Sequence, residues 1–212
     1  VWLMGGRRDW RYLSAPQKAL AGRRIRIPRG RMLGGSSSIN SMVWFRGRRD
    51  DFDNWNVEGW RWADVEPAFE ALERLFQPRR LSDPHPLSEA VHRVLGNNGS
   101  GPPTPEYESS GIFHFNMRNG RRWSAADALL RPARKRGNLD ILTGRQVDRI
   151  AFRDGRASQV VFADGSSIEA WKGIVLSAGS IGSPEILLRS GVGPAADLKA
   201  AGIPLAVRAE EV

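Results

Sequence analysis

An α/β (α+β) fold is predicted for these 212 residues by three features of the sequence. Residues 62–76 repeat apolar side chains at helical spacing. Residues 138–170 alternate at strand period with Asp-Gly pairs between the runs. Finally, "GIVLSAG" (173–179) is a continuous apolar run that meets a glycine and a further helical pattern. The apolar fraction of 41% is enough for a core, and no run approaches the roughly 20 apolar residues that span a bilayer. The first residues lack the pattern of a secretory signal, and the chain opens on Val rather than Met.

Taken in order, "RRIRIP" (23–28) alternates and reads as a short strand. From Ser36, possible serine caps and the spacing of Ile39, Met42, Val43 and Arg46 predict a helix that Gly47 ends. A second helix is predicted over "WRWADVEPAFEALERLF", starting at Ala63 or Asp64, with Pro67 in its first turn. Val65, Ala68, Phe69, Leu72, Leu75 and Phe76 form its apolar face. Residues 77–110, rich in Pro, Ser, Gly and Asn, read as a loop-rich excursion with one helical patch, "LSEAVHRVLG". "SAADALLRPARKRG" is helical with Ser124 as N-cap.

Beyond it, "LDILTG", "QVDRIAFR", "ASQVVFA" and "SSIEAW" predict a three- or four-stranded antiparallel meander, because Asp154-Gly155 and Asp164-Gly165 are hairpin signals. "GIVLSAG" reads as a strand buried on both faces. The helix after it takes Ser183 as N-cap, Pro184 as first helical residue and Gly191 as C-cap, and "AADLKAAG" closes at Gly202. A buried strand feeding a glycine turn and a helix is a layout with which α/β sheets bind ligands.

The formal charge is +9, and 28 of the 32 basic residues are arginine. They are spread along the chain and interrupted by acids such as Asp50, Asp51 and Asp53, so no single stripe for nucleic acid emerges. No cysteine is present, which excludes disulfides and thiolate chemistry. His85, His92 and His114 match no metal-ligand spacing, and none is paired by motif with a serine or carboxylate. "RGRMLGGSSSIN" (29–40) is open to three readings: a linker, a turn, or a loop whose backbone meets an anionic ligand. Gly34 and Gly35 lack Cβ, and Ser36, Ser37 and Ser38 add hydroxyl and N–H groups. It is neither a Walker loop nor a GxGxxG turn.

The stretch "PRGRMLGGSSSINSMVWFRGRRDDFDNW" (28–55) resembles the first signature of the glucose-methanol-choline (GMC) family of FAD-dependent oxidoreductases. "GIVLSAGSIGSPEILLRSGVGP" (173–194) resembles its second, and "RNGRRWSAADALLRPARKRGNLDILTGRQVDRI" (118–150) resembles the segment between them, in the choline dehydrogenase-like branch. The resemblance implies a partial FAD/NAD(P)-binding-type domain with an antiparallel β-meander and a helical, loop-rich substrate-side excursion. The corresponding segments are 1–58 (FAD-binding part), 59–132 (substrate side) and 133–212 (FAD-binding part with the meander and second signature).

The implied activity is oxidation of a small-molecule alcohol by hydride transfer to flavin, with the electron acceptor open. Met32, Gly34, Gly35 and Ser36 lie along the flavin and its pyrophosphate in that pattern, while Asn40, Ser41, Met42 and Val43 border the isoalloxazine. Val147 meets the adenine, and Ala178 and Gly179 lie near the cofactor. Ile39 stands where some choline oxidase-like members carry a flavin-linked histidine, so non-covalent FAD is expected. Neither the family's GxGxxG turn nor its catalytic histidine motif occurs in the sequence, so no catalytic residue is assigned to this chain. It is expected to be an internal fragment, inactive alone and cytoplasmic, with no metal and no specific nucleic-acid partner. The alternatives are a noncatalytic remnant and a basic anion- or nucleic-acid-binding module.

Overall fold

The computed structural model describes residues 5–95 and 111–212, and the chain forms two compact units, Val1–Leu139 and Asp140–Val212. In the first unit the elements run β1 (Tyr12–Leu13), β2 (Arg26–Ile27), β3 (Val43–Trp44), α1 (Arg49–Asn54), α2 (Trp62–Phe76) and β4 (Arg79–Arg80). They continue with α3 (Pro86–Leu95), β5 (His114–Phe115), β6 (Met117–Arg118), β7 (Arg121–Arg122) and α4 (Arg131–Ala133). In the second they run β8 (Val147–Arg153), β9 (Arg156–Phe162), β10 (Ser167–Glu169), α5 (Gly179–Arg189), β11 (Val192–Gly193), α6 (Ala195–Ala200) and β12 (Val207–Arg208).

The first unit is held by aromatic packing and small sheets. β1 pairs antiparallel with β2, and β5 lies between β3 and β4 with Val43 and Arg79 both opposite Phe115. The expected strand at "RRIRIP" is therefore β2. α2 spans the predicted helix, but its covered face is Trp62, Val65, Phe69, Glu73 and Phe76, whereas Leu72 and Leu75 are exposed. The apolar period alone puts Leu72 and Leu75 on the buried side. The structure rotates the face toward Trp62 because that indole packs on Phe52 and Phe69, at ring-centroid separations of 5.5 and 5.9 Å. The helix starts at Trp62, earlier than expected, because two carboxylates take amides at its start: Asp53 accepts the Trp62 N–H at 2.9 Å and Asp64 accepts the Arg61 N–H at 3.2 Å.

The helix expected from Ser36 does not form. A 3₁₀ turn over Gly35–Ser38 ends at Ile39, Met42 takes φ +64°, and the chain enters β3. Asn40 supplies the cause: its side-chain oxygen accepts the Met42 N–H at 3.0 Å, the local competition by which Asn ends helices, and the Asn116 N–H takes the Met42 carbonyl at 2.8 Å. The patch "LSEAVHRVLG" does form α3, with the Leu87 N–H donating to His85 Nδ1 at its start. The rest of the expected excursion, residues 96–110, lies outside the described residues. Ser124 caps as expected, accepting the Asp127 N–H on its hydroxyl. The helix that follows is a π-helical turn, Ala126–Leu130, running into α4.

β3 is tied to α2 by a half-buried ion pair. Glu73 accepts Arg46 Nε at 2.7 Å on one oxygen and an Arg46 terminal nitrogen at 2.5 Å on the other, and Trp44 Nε1 donates to it at 2.9 Å. The Arg46 guanidinium holds the Glu73 carboxyl below the usual carboxylate range, with the indole adding to it and burial opposing. Because the folded-state pKa is depressed, the stabilisation is present above the unfolded value of about 4.3 and is lost as pH falls through the lower folded value. Glu73→Gln is therefore expected to lower the stability of the first unit by about 1–2 kcal/mol at pH 7, and the difference from wild type is expected to shrink as pH falls below the unfolded value and through the lower folded one. Thermal unfolding of both proteins across that range checks it; a difference independent of pH refutes it.

In the second unit β8, β9 and β10 form the predicted meander, with β9 central. Asp154 and Gly155 both take positive φ (51° and 72°), the primed turn that the Asp-Gly pair predicts. The meander has three strands, because "LDILTG" is not a strand: Leu142 is exposed and Gly144 bends the chain at φ +70°. α5 packs on β8, and the core is Ile150, Val161, Phe162, Ile186 and Leu198.

"GIVLSAG" is not a strand either. Val175 is 92% exposed and Trp171 89%, and none of the described strands pairs with the run. A strand buried on both faces needs neighbours on both sides, and apolar composition alone does not supply them. α5 begins at Gly179, ahead of the expected first helical residue Pro184 by five positions. The Ser183 hydroxyl still accepts an N–H, that of Ala178, but Pro184 consequently lies inside the helix. Gly191 closes α5 at φ +79° and Gly202 follows α6 at φ +69°, as expected.

Candidate functional site

The Gly/Ser stretch is a braced loop rather than a linker. Asp9, itself buried, fixes its entry: one carboxylate oxygen accepts the Arg11 and Arg29 N–H groups at 3.0 Å each, and the other accepts the Gly5 N–H at 2.7 Å. The Arg11, Gly5 and Arg29 amides hold that carboxyl below the usual carboxylate range. Gly30 then passes against the Gly35 carbonyl so closely that a Cβ on it would lie 2.2 Å from that oxygen.

The turn itself uses Gly34 at φ +85° and Gly35 at φ +54°, values that favour glycine, and is closed by the Gly35 N–H donating to the Met32 carbonyl at 2.9 Å. All three serine hydroxyls are engaged within or beside the loop. Ser36 Oγ accepts the Gly30 N–H; Ser37 Oγ donates to the Gly34 carbonyl and accepts the Ala125 N–H; Ser38 Oγ donates to the Leu33 carbonyl. A ligand would therefore meet backbone and glycine faces here more than hydroxyls.

The outer side of the loop is open. Among the described residues, its chain neighbours aside, no atom lies within 4 Å of where a Gly35 Cβ would be, and Met32, Leu33 and Val43 are each about two-fifths exposed. Ser36, Asn40 and Ser41 are exposed as well, and Met42 is half-buried. An accessible glycine face flanked by apolar side chains fits a planar, partly apolar group carrying an anionic tail, which is the chemistry of a flavin dinucleotide. Met42 at φ +64° is a non-glycine residue in the left-handed region, a local strain that the surrounding hydrogen bonds sustain. Ile39, by contrast, is 5% exposed and packs inward.

The fold thus gathers Met32, Gly34, Gly35, Ser36, Asn40, Ser41, Met42 and Val43 onto one loop and the strand that follows it. Val147, Ala178 and Gly179 belong to the second unit. Val147 is half-buried at the start of β8, opposite Phe162. Gly179 opens α5 at φ +85° with nothing within 4 Å of where a Cβ would lie, and the first amides of a helix lack intrahelical partners.

One residue escapes the sequence reading. Arg122 reaches back from β7 to donate to the Ser37 carbonyl (3.0 Å), the Asn40 side-chain oxygen (2.8 Å) and the Asn40 carbonyl (2.7 Å). It forms no ion pair among the described residues, and burial pushes its pKa down. The signal was present: Asn119-Gly120 is a hairpin pair, and both residues take positive φ in the turn that joins β6 to β7.

Among the described residues no cluster of three or more His, Asp or Glu could hold a metal, and no helix is long and apolar enough to cross a membrane. Several arginines are tied to acids, as in Arg145–Asp164, Arg189–Asp148 and Arg131–Asp127.

Residues 15–207 match the family model described as GMC oxidoreductase. An oxygen-dependent choline dehydrogenase of Rhizobium johnstonii is 38% identical over 99% of the chain and 42% of its own length. A protein of the same description from Sinorhizobium fredii is 38% identical over 98% of the chain and 42% of its length. The chain thus spans about two-fifths of the curated relatives it matches. Among solved structures, pyridoxine 4-oxidase from Mesorbium loti superposes with a TM-score of 0.81 at 33% identity, covering all of this chain and 46% of that one. A formate oxidase, at 21% identity and TM-score 0.78, shares the fold.

Proposed function

From the premise that this chain belongs to the GMC oxidoreductase family, we propose that it forms the cofactor-holding part of an FAD-dependent enzyme that oxidises the CH–OH group of a small alcohol. The observation that carries the proposal is the open face at Gly35, flanked by exposed Met32, Leu33 and Val43, on a loop braced from behind where Gly34 packs against Ser38 and Ala126. In the first unit Met32, Gly34, Gly35, Ser36, Asn40, Ser41, Met42 and Val43 contact FAD; in the second Val147, Ala178 and Gly179 do so. The chemistry that FAD supplies when bound is acceptance of a hydride from the alcohol carbon. The protein's share is positioning: glycine lets the backbone approach closely, and the apolar side chains keep water from the ring. Residues 59–132 contribute the substrate side, and the choline-oxidising relatives make a small cationic alcohol the first substrate to test.

FAD is held without a covalent bond through Ile39, a buried aliphatic side chain with no nucleophilic atom. Expressed with its complete reading frame, the protein is expected to show flavin absorbance that leaves with the supernatant after acid precipitation. Flavin remaining on the pellet refutes the non-covalent reading, and absence of flavin refutes the cofactor assignment. The 212-residue chain by itself is expected to hold less than stoichiometric FAD and to turn over no alcohol; stoichiometric flavin on the purified chain overturns that.

A further inference from the structure

We propose that Arg122 is a positioning residue: its guanidinium sets the shape of the Ser37–Met42 loop against the flavin, an inference that rests on the cofactor reading above. One planar fork donates to three acceptors in residues 82 and 85 positions earlier in the chain: the carbonyls of Ser37 and Asn40 and the Asn40 side-chain oxygen. The Asn40 oxygen has a second partner, the Met42 N–H at 3.0 Å. Arg122 thereby fixes the Asn40 side chain, and Asn40 in turn holds Met42 at φ +64°. A non-glycine residue keeps that conformation only when its surroundings over-determine it.

The brace is doubled a little further along the chain, where the Ala125 N–H joins Ser37 Oγ at 2.9 Å. These acceptors belong to the loop that carries the proposed isoalloxazine contacts, so a change at Arg122 is transmitted to the cofactor without Arg122 touching it. Arginine is required rather than a cation in general. Its donors are spread in a rigid plane that spans all three acceptors, whereas the lysine ammonium is a single point of charge.

The test compares FAD dissociation constants and the visible absorbance envelope of bound flavin in the protein expressed from its complete reading frame. The variants are Arg122→Lys, Arg122→Met, Asn40→Ala and, on the same hairpin, the exposed control Arg121→Met. Both Arg122 variants are expected to bind FAD at least about tenfold more weakly and to shift the flavin envelope, with Arg121→Met matching wild type. Asn40→Ala keeps the guanidinium and removes the shared side-chain acceptor; because Asn40 is itself a proposed flavin contact, the double variant with Arg122→Met is compared as well. Its loss of FAD affinity is expected to be smaller than the two single losses combined, whereas additive losses overturn the proposal. Full rescue by lysine, or wild-type affinity and spectrum in all the variants, overturns the proposal. If the wild-type protein takes up no FAD, the cofactor reading itself fails and the proposal falls with it. Wild-type binding with unaltered variants, by contrast, fails the proposal alone.

Discussion

Gly30→Ala is expected to destabilise the first unit by about 2–4 kcal/mol and to lower its Tm by roughly 5–15 °C. The cause is steric rather than conformational, since Gly30 does not have a positive φ. A Cβ there would lie 2.2 Å from the Gly35 oxygen, 2.4 Å from the Gly35 carbonyl carbon and 2.8 Å from the Ser36 nitrogen. All three are backbone atoms, so no side chain can swing aside; the loop must open. Opening would also separate the Gly30 N–H from Ser36 Oγ, now at 3.1 Å, and strain the Asp9 carboxylate that seats Arg29. The same displacement would move the open Gly35 face, so FAD affinity of the complete protein is expected to fall at least tenfold, by the about 1.4 kcal/mol that such a change represents. Gly137→Ala is the control, since nothing lies within 4 Å of its Cβ position and its φ is ordinary; it should stay within about 0.5 kcal/mol of wild type. Thermal unfolding of the two variants side by side decides, and equal Tm values refute the close approach.

What was legible in the sequence follows the range of the interactions involved. α2 and the β8–β10 meander could be read because their signals are local: a 3.6-residue apolar period, and Asp-Gly pairs that select the turn. The same local logic misled at Ile39–Arg46, where helical spacing was present but Asn40 and the distant Asn116 took the Met42 amide and carbonyl into other bonds. It misled again at "GIVLSAG", whose apolar run says only that the segment favours burial and not which strands would cover it.

The candidate site divides in the same way. Gly34 and Gly35 are visible as a glycine pair. That Gly30 touches Gly35, that Asp9 gathers the Gly5, Arg11 and Arg29 amides, and that Arg122 grips Ser37 and Asn40 are long-range or cross-loop facts that no residue window contains. Even the motif resemblance left them out, because it compares residues along the chain and not the bonds that fix them.

Gly191→Ala is expected to cost the second unit about 3–5 kcal/mol, from two separable causes. The first is backbone conformation: φ is +79°, where an L side chain costs about 1–2 kcal/mol. The second is contact: a Cβ would sit 2.3 Å from the Pro204 oxygen and 3.0 Å from the Ala206 nitrogen. Relief would require moving the segment that β12 enters, whose Ala206 and Val207 N–H groups both donate to the Gly191 carbonyl. Gly202→Ala separates the causes, because Gly202 has φ +69° with open space around its Cβ position; it should lose only the conformational part, about 1–2 kcal/mol.

The contact part then propagates along α5. Ser190, next to Gly191, is buried, donates to the Ile186 carbonyl and accepts the Ile150 N–H at 2.8 Å, which joins the end of α5 to β8. Loosening that end frees the helix whose other end presents Ala178 and Gly179. Amide hydrogen exchange should therefore speed up throughout α5 and at Ile150 in Gly191→Ala, and far less in Gly202→Ala. Equal exchange in the two variants would show that the left-handed backbone, not the Pro204 contact, governs this position.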